Sequence, residues 1–181
     1  MLRMSLPLQR VFAALIVSIG LSSAQTALSQ LPHKFALAQF EDIACRAKGR
    51  LQDCSIGNPV TSQILAGGKW SVPVLISQLT ETTRTEEPIL DFWSYTTSGD
   101  IAFMFLNDLF TDPDGESFAM PGVPNWKAIM SGCDGTAGDC WRKYVRKRGI
   151  RSVQQSWRAA WENNRDRIMW DAKSRCFRLH R

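Results

Sequence analysis

The apolar residues of this chain recur mostly at helical spacing, and no segment alternates apolar and polar residues as a half-buried β-strand does. Proline, asparagine and glycine stand where many of these segments would begin or end. We expect helices over residues 32–48, 58–67, 71–81, 100–110, 124–130, 139–148 and 153–173. The sequence therefore predicts an all-α fold, a compact single domain of six to eight short helices packed as antiparallel pairs.

Some of these helix assignments depend on local signals. Residues 71–81 contain a short β-branched run that would also suit a strand, but Pro73 in the first turn favours a helix. We expect Ser98 to cap the helix over 100–110 and Asp139 to cap the helix over 139–148. Ser152, followed three residues later by glutamine, has the spacing of a capping box and predicts the start of the last helix.

The first 24 residues do not belong to this domain. Basic residues occur before an apolar run over residues 11–21, and small residues follow it, which is the order of a secretory signal peptide. We expect cleavage after Ala24, with an uncleaved N-terminal anchor as the alternative. The predicted domain is then 25–181, exported to the periplasm or the extracellular space, with no transmembrane segment in the mature chain.

Charge divides that domain into two parts. Residues 25–140 hold 7 basic and 14 acidic side chains, whereas residues 141–181 hold 13 basic and 3 acidic ones. The composition is otherwise that of a globular protein, 44% hydrophobic and 22% charged, which excludes a disordered chain and a polytopic membrane protein. We expect an acidic part and a basic, tryptophan-rich helical hairpin over 141–181.

Five cysteines in an exported chain indicate disulfides. Cys133 and Cys140 enclose six residues with two glycines, so a short loop can close there without strain. Cys45 and Cys54 form the second predicted pair, and the partner of Cys176 stays open. The cysteine spacing does not fit a zinc site, so we predict no metal and no cofactor.

The candidates for catalysis are few. No histidine lies in the body of the domain to activate a serine or cysteine nucleophile. Paired carboxylates beside aromatic residues could carry glycosidase-like acid–base chemistry in an envelope hydrolase. The carboxylates around the aromatic segment 92–95 are Glu86, Glu87, Asp91 and Asp100. An ordinary acidic loop next to core aromatic residues is the alternative interpretation.

The basic segment is the stronger candidate for a functional surface. It contains Arg142, Lys143, Arg146, Lys147, Arg148 and Arg151. Helical spacing places Arg142, Arg146 and their neighbouring lysines on one exposed arc, with Trp141, Tyr144, Val145 and Arg148 turned partly or wholly toward the core. A nucleic-acid partner is disfavoured because the chain is expected to leave the cytoplasm. The expected function is a binding module for an anionic envelope surface, an acidic glycan or an acidic protein, with a structural domain without a ligand as a further alternative.

Overall fold

A computed structural model of the chain describes residues 33–40, 58–86, 95–111 and 120–179. Its α-helices are α1 (Pro59–Gly67), α2 (Ser71–Gln78), α3 (Ser98–Leu109), α4 (Trp126–Met130), α5 (Ala137–Arg148) and α6 (Ile150–Asn164). Two strands follow, β1 (Ile168–Asp171) and β2 (Cys176–Leu179), and single 3₁₀ turns occupy Leu37–Gln39 and Gly68–Trp70. The predicted signal peptide and the predicted Cys45–Cys54 pair lie outside the described residues.

The prediction of an all-α fold with six to eight helices is wrong. Strands β1 and β2 pair in antiparallel register to form a small two-stranded sheet, so the fold is mixed. Five helices in the described residues have eight residues or more, and α4 is little more than a single turn.

The β-hairpin arises from turn chemistry that helical spacing conceals. The carboxylate of Asp171 accepts hydrogen bonds from the backbone N–H groups of Lys173 (3.0 Å) and Ser174 (3.2 Å) and from the Ser174 hydroxyl (2.9 Å). These bonds close a turn directly after β1. The helix predicted over 153–173 therefore ends at Asn164, and its last residues are strand and turn.

The second strand of the hairpin, β2, packs against the core. Phe177 is buried and its ring stacks on Phe110, with 4.8 Å between the ring centroids. Trp161 and Trp170 approach the same ring edge-on. Cys176 beside it is also buried. Aromatic burial on one face thus fixes the sheet against the helices.

Helix α3 forms the centre of the core. Most of its residues are buried, because apolar side chains occur nearly all round the helix. The ring of Phe103 stacks on Trp141 at 3.7 Å between centroids, and Trp126 meets its edge at 5.0 Å. Thr97, rather than Ser98, caps the helix and forms a capping box with Asp100.

The first helices follow the sequence more closely. Helix α1 begins after the predicted cap Asn58, and the helix over 71–81 is confirmed but ends at Gln78. The helix predicted over 32–48 is wrong in its described part, 33–40, which holds only one 3₁₀ turn. There the side chain of Gln78 bonds both the N–H of Phe35 (2.8 Å) and its carbonyl (2.9 Å), so these backbone groups pair outside any helix.

Candidate functional site

Helix α5 carries most of the basic residues predicted for the functional surface. A capping box and a disulfide stabilise its start. Thr136 and Asp139 form a capping box, so Thr136 is the cap and the prediction of Asp139 as the cap is wrong. The predicted disulfide between Cys133 and Cys140 is confirmed, with the Cα atoms 5.8 Å apart. Hydrogen bonds from Thr136 lower the pKa of the Asp139 carboxyl, which keeps it charged at the positive end of the helix dipole.

The inner face of α5 decides which side chains point outward. Cys140 and Trp141 are buried, and Tyr144 and Val145 are half-buried against the core. The indole N–H of Trp141 donates a 2.6 Å hydrogen bond to Asp100 on α3, which locks the rotation of α5 about its axis. Burial raises the pKa of the Tyr144 hydroxyl, and the charge of Arg148 opposes part of that rise.

Five basic side chains are exposed as a result. We call them the basic surface, and they are Lys143, Arg146, Lys147, Arg148 and Arg151. Arg148, a member of the predicted contact surface that was expected to turn partly or wholly toward the core, is exposed. Within the described residues, the ion pairs are Lys34–Glu81, Arg142–Asp139, Arg165–Glu162 and Arg178–Asp171, and none includes a member of the basic surface. The acidic part of the chain therefore does not neutralise these charges through direct contacts in that region.

Arg142 differs from the other basic residues of the helix. Its side chain is about 29% exposed, and its guanidinium lies 3.3 Å from the Asp139 carboxylate. The guanidinium carbon is also 5.7 Å from the ring centroid of Tyr95, within the range of a cation–π contact. Arg142 thus joins α5 to the segment that precedes α3.

A cleft of about 530 Å³ opens beside the basic surface. Its apolar lining comes from Leu79, Trp141, Val145 and Ile150. Its polar lining comes from Thr80, Glu81, Thr82, Tyr95, Thr97, Asp100, Arg142 and Arg146. This volume is within the range of small-molecule and peptide side-chain sites, and the cleft combines an apolar floor with charged walls.

Backbone hydrogen bonds join the two segments that line the cleft together with α5. The N–H of Thr85 donates to the carbonyl of Thr96 (3.1 Å), and the N–H of Ser98 donates to that of Thr83 (2.8 Å). These bonds place segment 81–86 antiparallel to the residues before α3. A site formed by Leu79, Glu81 and Tyr95 with the basic helix was not predicted, because these residues are far from that helix in the chain and meet it only in the folded structure.

A second cleft of about 360 Å³ lies on another part of the surface. Trp70, which is 59% exposed, lines it together with Trp161 and the ion pair Glu162–Arg165. Trp161 is buried, so the tryptophans of the basic segment are mainly core residues rather than contact residues. Trp141 and Trp157 are buried as well.

Two of the four predicted catalytic carboxylates, Glu86 and Asp100, lie in the described residues. Glu87 and Asp91 lie outside the described residues. Asp100 lines the cleft, but its carboxylate accepts bonds from Trp141 and from the backbone and hydroxyl of Thr97. Glu86 is exposed and is not among the described residues that line the cleft. Asp100 therefore has a clear structural role at the start of α3.

The described residues show neither a metal site nor a membrane span. No cluster of three or more histidine, cysteine, aspartate or glutamate side chains is placed to hold a metal ion among the residues of known position. In the same part of the chain, every helix is too short or too polar to cross a bilayer.

No known protein family, curated protein or solved structure shows significant similarity to this chain.

Proposed function

We propose that this protein is an exported helical domain that binds an anionic partner through the basic surface on α5 and the start of α6. The observation that carries the proposal is the exposure of five cations within nine residues, none of them ion-paired with a described carboxylate. Such a concentration of one charge raises the local concentration of anions and speeds their association.

A structural role for these cations accounts for only part of the pattern. Arg146, Lys147 and Arg148 occupy the last turn of α5, where positive charge stabilises the helix dipole by about 0.3–1 kcal/mol each. Lys143 lies earlier in the helix, and Arg151 lies near the start of α6, where positive charge is unfavourable for that helix. A contact surface explains all five positions together.

Export is part of the proposal. The disulfide at the start of α5 supports an oxidising compartment, in agreement with the predicted signal peptide over residues 1–24. We expect the mature protein to begin at Gln25 or within about five residues of it, because the small residues before Gln25 fit a cleavage site. Mass spectrometry of the periplasmic or secreted form measures this, and an intact Met1 on a cytoplasmic protein would contradict export.

Salt dependence tests the binding function. The purified protein is titrated with heparin, with polyglutamate and with phosphatidylglycerol vesicles, and phosphatidylcholine vesicles are the neutral control. We expect binding to at least one of the anionic probes and none to the neutral vesicles. Exposed charges are screened beyond about 8–10 Å at physiological ionic strength, so the affinity should fall steeply as salt is raised. Absence of binding to every anionic probe at low salt would leave only a structural role for the cations.

A further inference from the structure

The cleft beside the basic surface narrows the choice of partner. Its floor is apolar, formed by Leu79, Val145 and Ile150. A ligand that carried only charge would leave this floor uncovered and would gain nothing from the burial of apolar area. The cleft therefore suits an anionic ligand that also carries apolar groups.

The charged side chains that line the cleft differ in whether they are already bonded within the protein. Glu81 pairs with Lys34 at 2.9 Å, and Asp100 is held by Trp141 and Thr97, so both carboxylates are engaged within the protein. Arg146 lines the same cleft as one of the exposed cations of the basic surface. An incoming carboxylate thus meets a guanidinium at the rim, which favours planar, bidentate hydrogen bonding.

The remaining polar groups suit a polypeptide better than a lipid. Thr80, Thr82 and Thr97 contribute hydroxyl groups that both donate and accept hydrogen bonds. Backbone amides of an extended chain offer both kinds of group at regular intervals. A lipid phosphate offers acceptors only, so it would not match the hydroxyl oxygens as acceptors.

Tyr95 provides the aromatic contact. Its side chain is 64% exposed, and the guanidinium of Arg142 approaches its ring on the cleft side. An exposed tyrosine fixed beside an arginine resembles the aromatic and arginine anchors that dominate protein–protein interfaces. Little stability depends on its ring, so the residue is well suited to a mutational test.

We propose that the cleft binds an acidic peptide segment of a partner protein, with an apolar side chain on the floor and a carboxylate on Arg146. This inference rests on the proposed function and specifies the partner as an acidic protein. Lys143 and Lys147, outside the cleft on the same helix, then attract the flanking acidic residues of the segment.

Two labelled peptides test the inference by fluorescence anisotropy. In the first, aspartates alternate with phenylalanines, and in the second, serines replace the phenylalanines at equal charge. We expect the first peptide to bind roughly tenfold or more tightly, because burial of an aromatic side chain adds affinity that charge alone does not supply. Phosphatidylglycerol vesicles and heparin are measured in parallel.

Three variants locate the contact. Tyr95→Ala and Arg146→Ala should each weaken binding of the phenylalanine peptide, and Tyr95→Ala should leave the serine peptide unchanged. Trp70→Ala removes an exposed aromatic side chain from the other cleft and should change neither peptide. Circular dichroism melting of each variant shows that the fold is kept, and Arg146→Ala serves as the test if Tyr95→Ala unfolds.

The outcomes separate the two proposals. Equal, salt-sensitive binding of both peptides would overturn the role of the cleft and leave the basic surface as the binding site. Binding of vesicles or heparin without either peptide would overturn the acidic peptide as the partner while the proposed function stands. Failure of all probes to bind would overturn both.

Discussion

Gly99 allows a close backbone approach next to the cleft. A Cβ atom added there would lie 2.5 Å from the carbonyl oxygen of Leu79 and 2.9 Å from that of Glu81. The Gly99 N–H donates to this same Glu81 carbonyl at 3.0 Å. The absence of a side chain thus lets segment 79–81 approach the start of α3 and form one wall of the cleft.

Gly99→Ala should destabilise the protein by about 1–3 kcal/mol, the usual cost of forcing atoms into a closely packed site. Both neighbouring atoms belong to the backbone, so rotation of a side chain does not relieve the contact. Urea unfolding followed by tryptophan fluorescence measures the change. Unchanged stability would show that segment 79–81 does not approach α3 as closely as described.

Asp100 shows how one residue serves two elements. It completes the capping box of α3 and accepts the indole N–H of Trp141 on α5. The sequence placed Asp100 near the positive end of the α3 dipole, but it also suggested a catalytic carboxylate. The bond to Trp141 could not be predicted, because the two residues are 41 positions apart in the chain.

At the scale of elements, the helices with strong end signals were predictable and the hairpin was not. Asn58 and Pro59 begin α1 as expected, and Gly149 ends α5 with a positive φ of 81°. The β-hairpin was not predicted because Ile168 and Ala172 continue the helical spacing of α6. Its defining interactions come from Asp171, whose turn-forming bonds compete successfully with helix extension.

The start of α6 also differs from the prediction. Ser152 has capping-box spacing, yet the helix begins at Ile150 with Gly149 as its N-cap residue and without a side-chain cap. Burial of Val153 and Trp157 and the hydrogen bonds of Gln154 to the carbonyls of Ile76 and Ser77 fix this helix against α2. Tertiary contacts thus set a boundary that the local sequence predicted three residues later.

The hairpin should weaken in acid. Hydrogen bonds from Ser174, assisted by Arg178, lower the pKa of Asp171 below its ordinary value of 3.8. A lowered pKa in the folded state means that the charged carboxylate stabilises the fold above about pH 4, and that this contribution is lost as the pH falls through the folded-state pKa.

Asp171→Ala should therefore lower stability at neutral pH and matter less at an acidic pH below the folded-state pKa of Asp171, where the native carboxyl is itself protonated. Urea unfolding of both proteins at the two pH values gives the comparison. An equal difference in stability at both pH values would show that the charge of Asp171 does not support the turn.

For the whole molecule, the distribution of charge was predictable and its exposure was only partly so. The contrast between residues 25–140 and 141–181 follows directly from counting side chains. Helical spacing predicted that Trp141 is buried and that Lys143 and Lys147 are exposed, and the structure agrees. It left the exposure of Arg148 open, and it did not predict that a cleft with Tyr95 and Glu81 lies beside the basic helix.

Charge reversal shows whether the basic surface is the site that contacts an anionic partner. Lys143→Glu, Lys147→Glu and Arg148→Glu are combined in one variant, and Lys127→Glu, Arg167→Glu and Lys173→Glu in a control. The control changes the net charge equally, but its exposed residues lie on α4 and around the hairpin. Binding to the anionic probes is then measured for the native protein and both variants at low salt.

We expect the α5 variant to lose nearly all binding to the anionic probes and the control variant to keep most of it. Thermal unfolding should show that both variants stay folded, since the substituted side chains are exposed. Equal binding by the two variants would mean that only the overall charge matters. Retained binding by the α5 variant would contradict the basic surface as the site of contact.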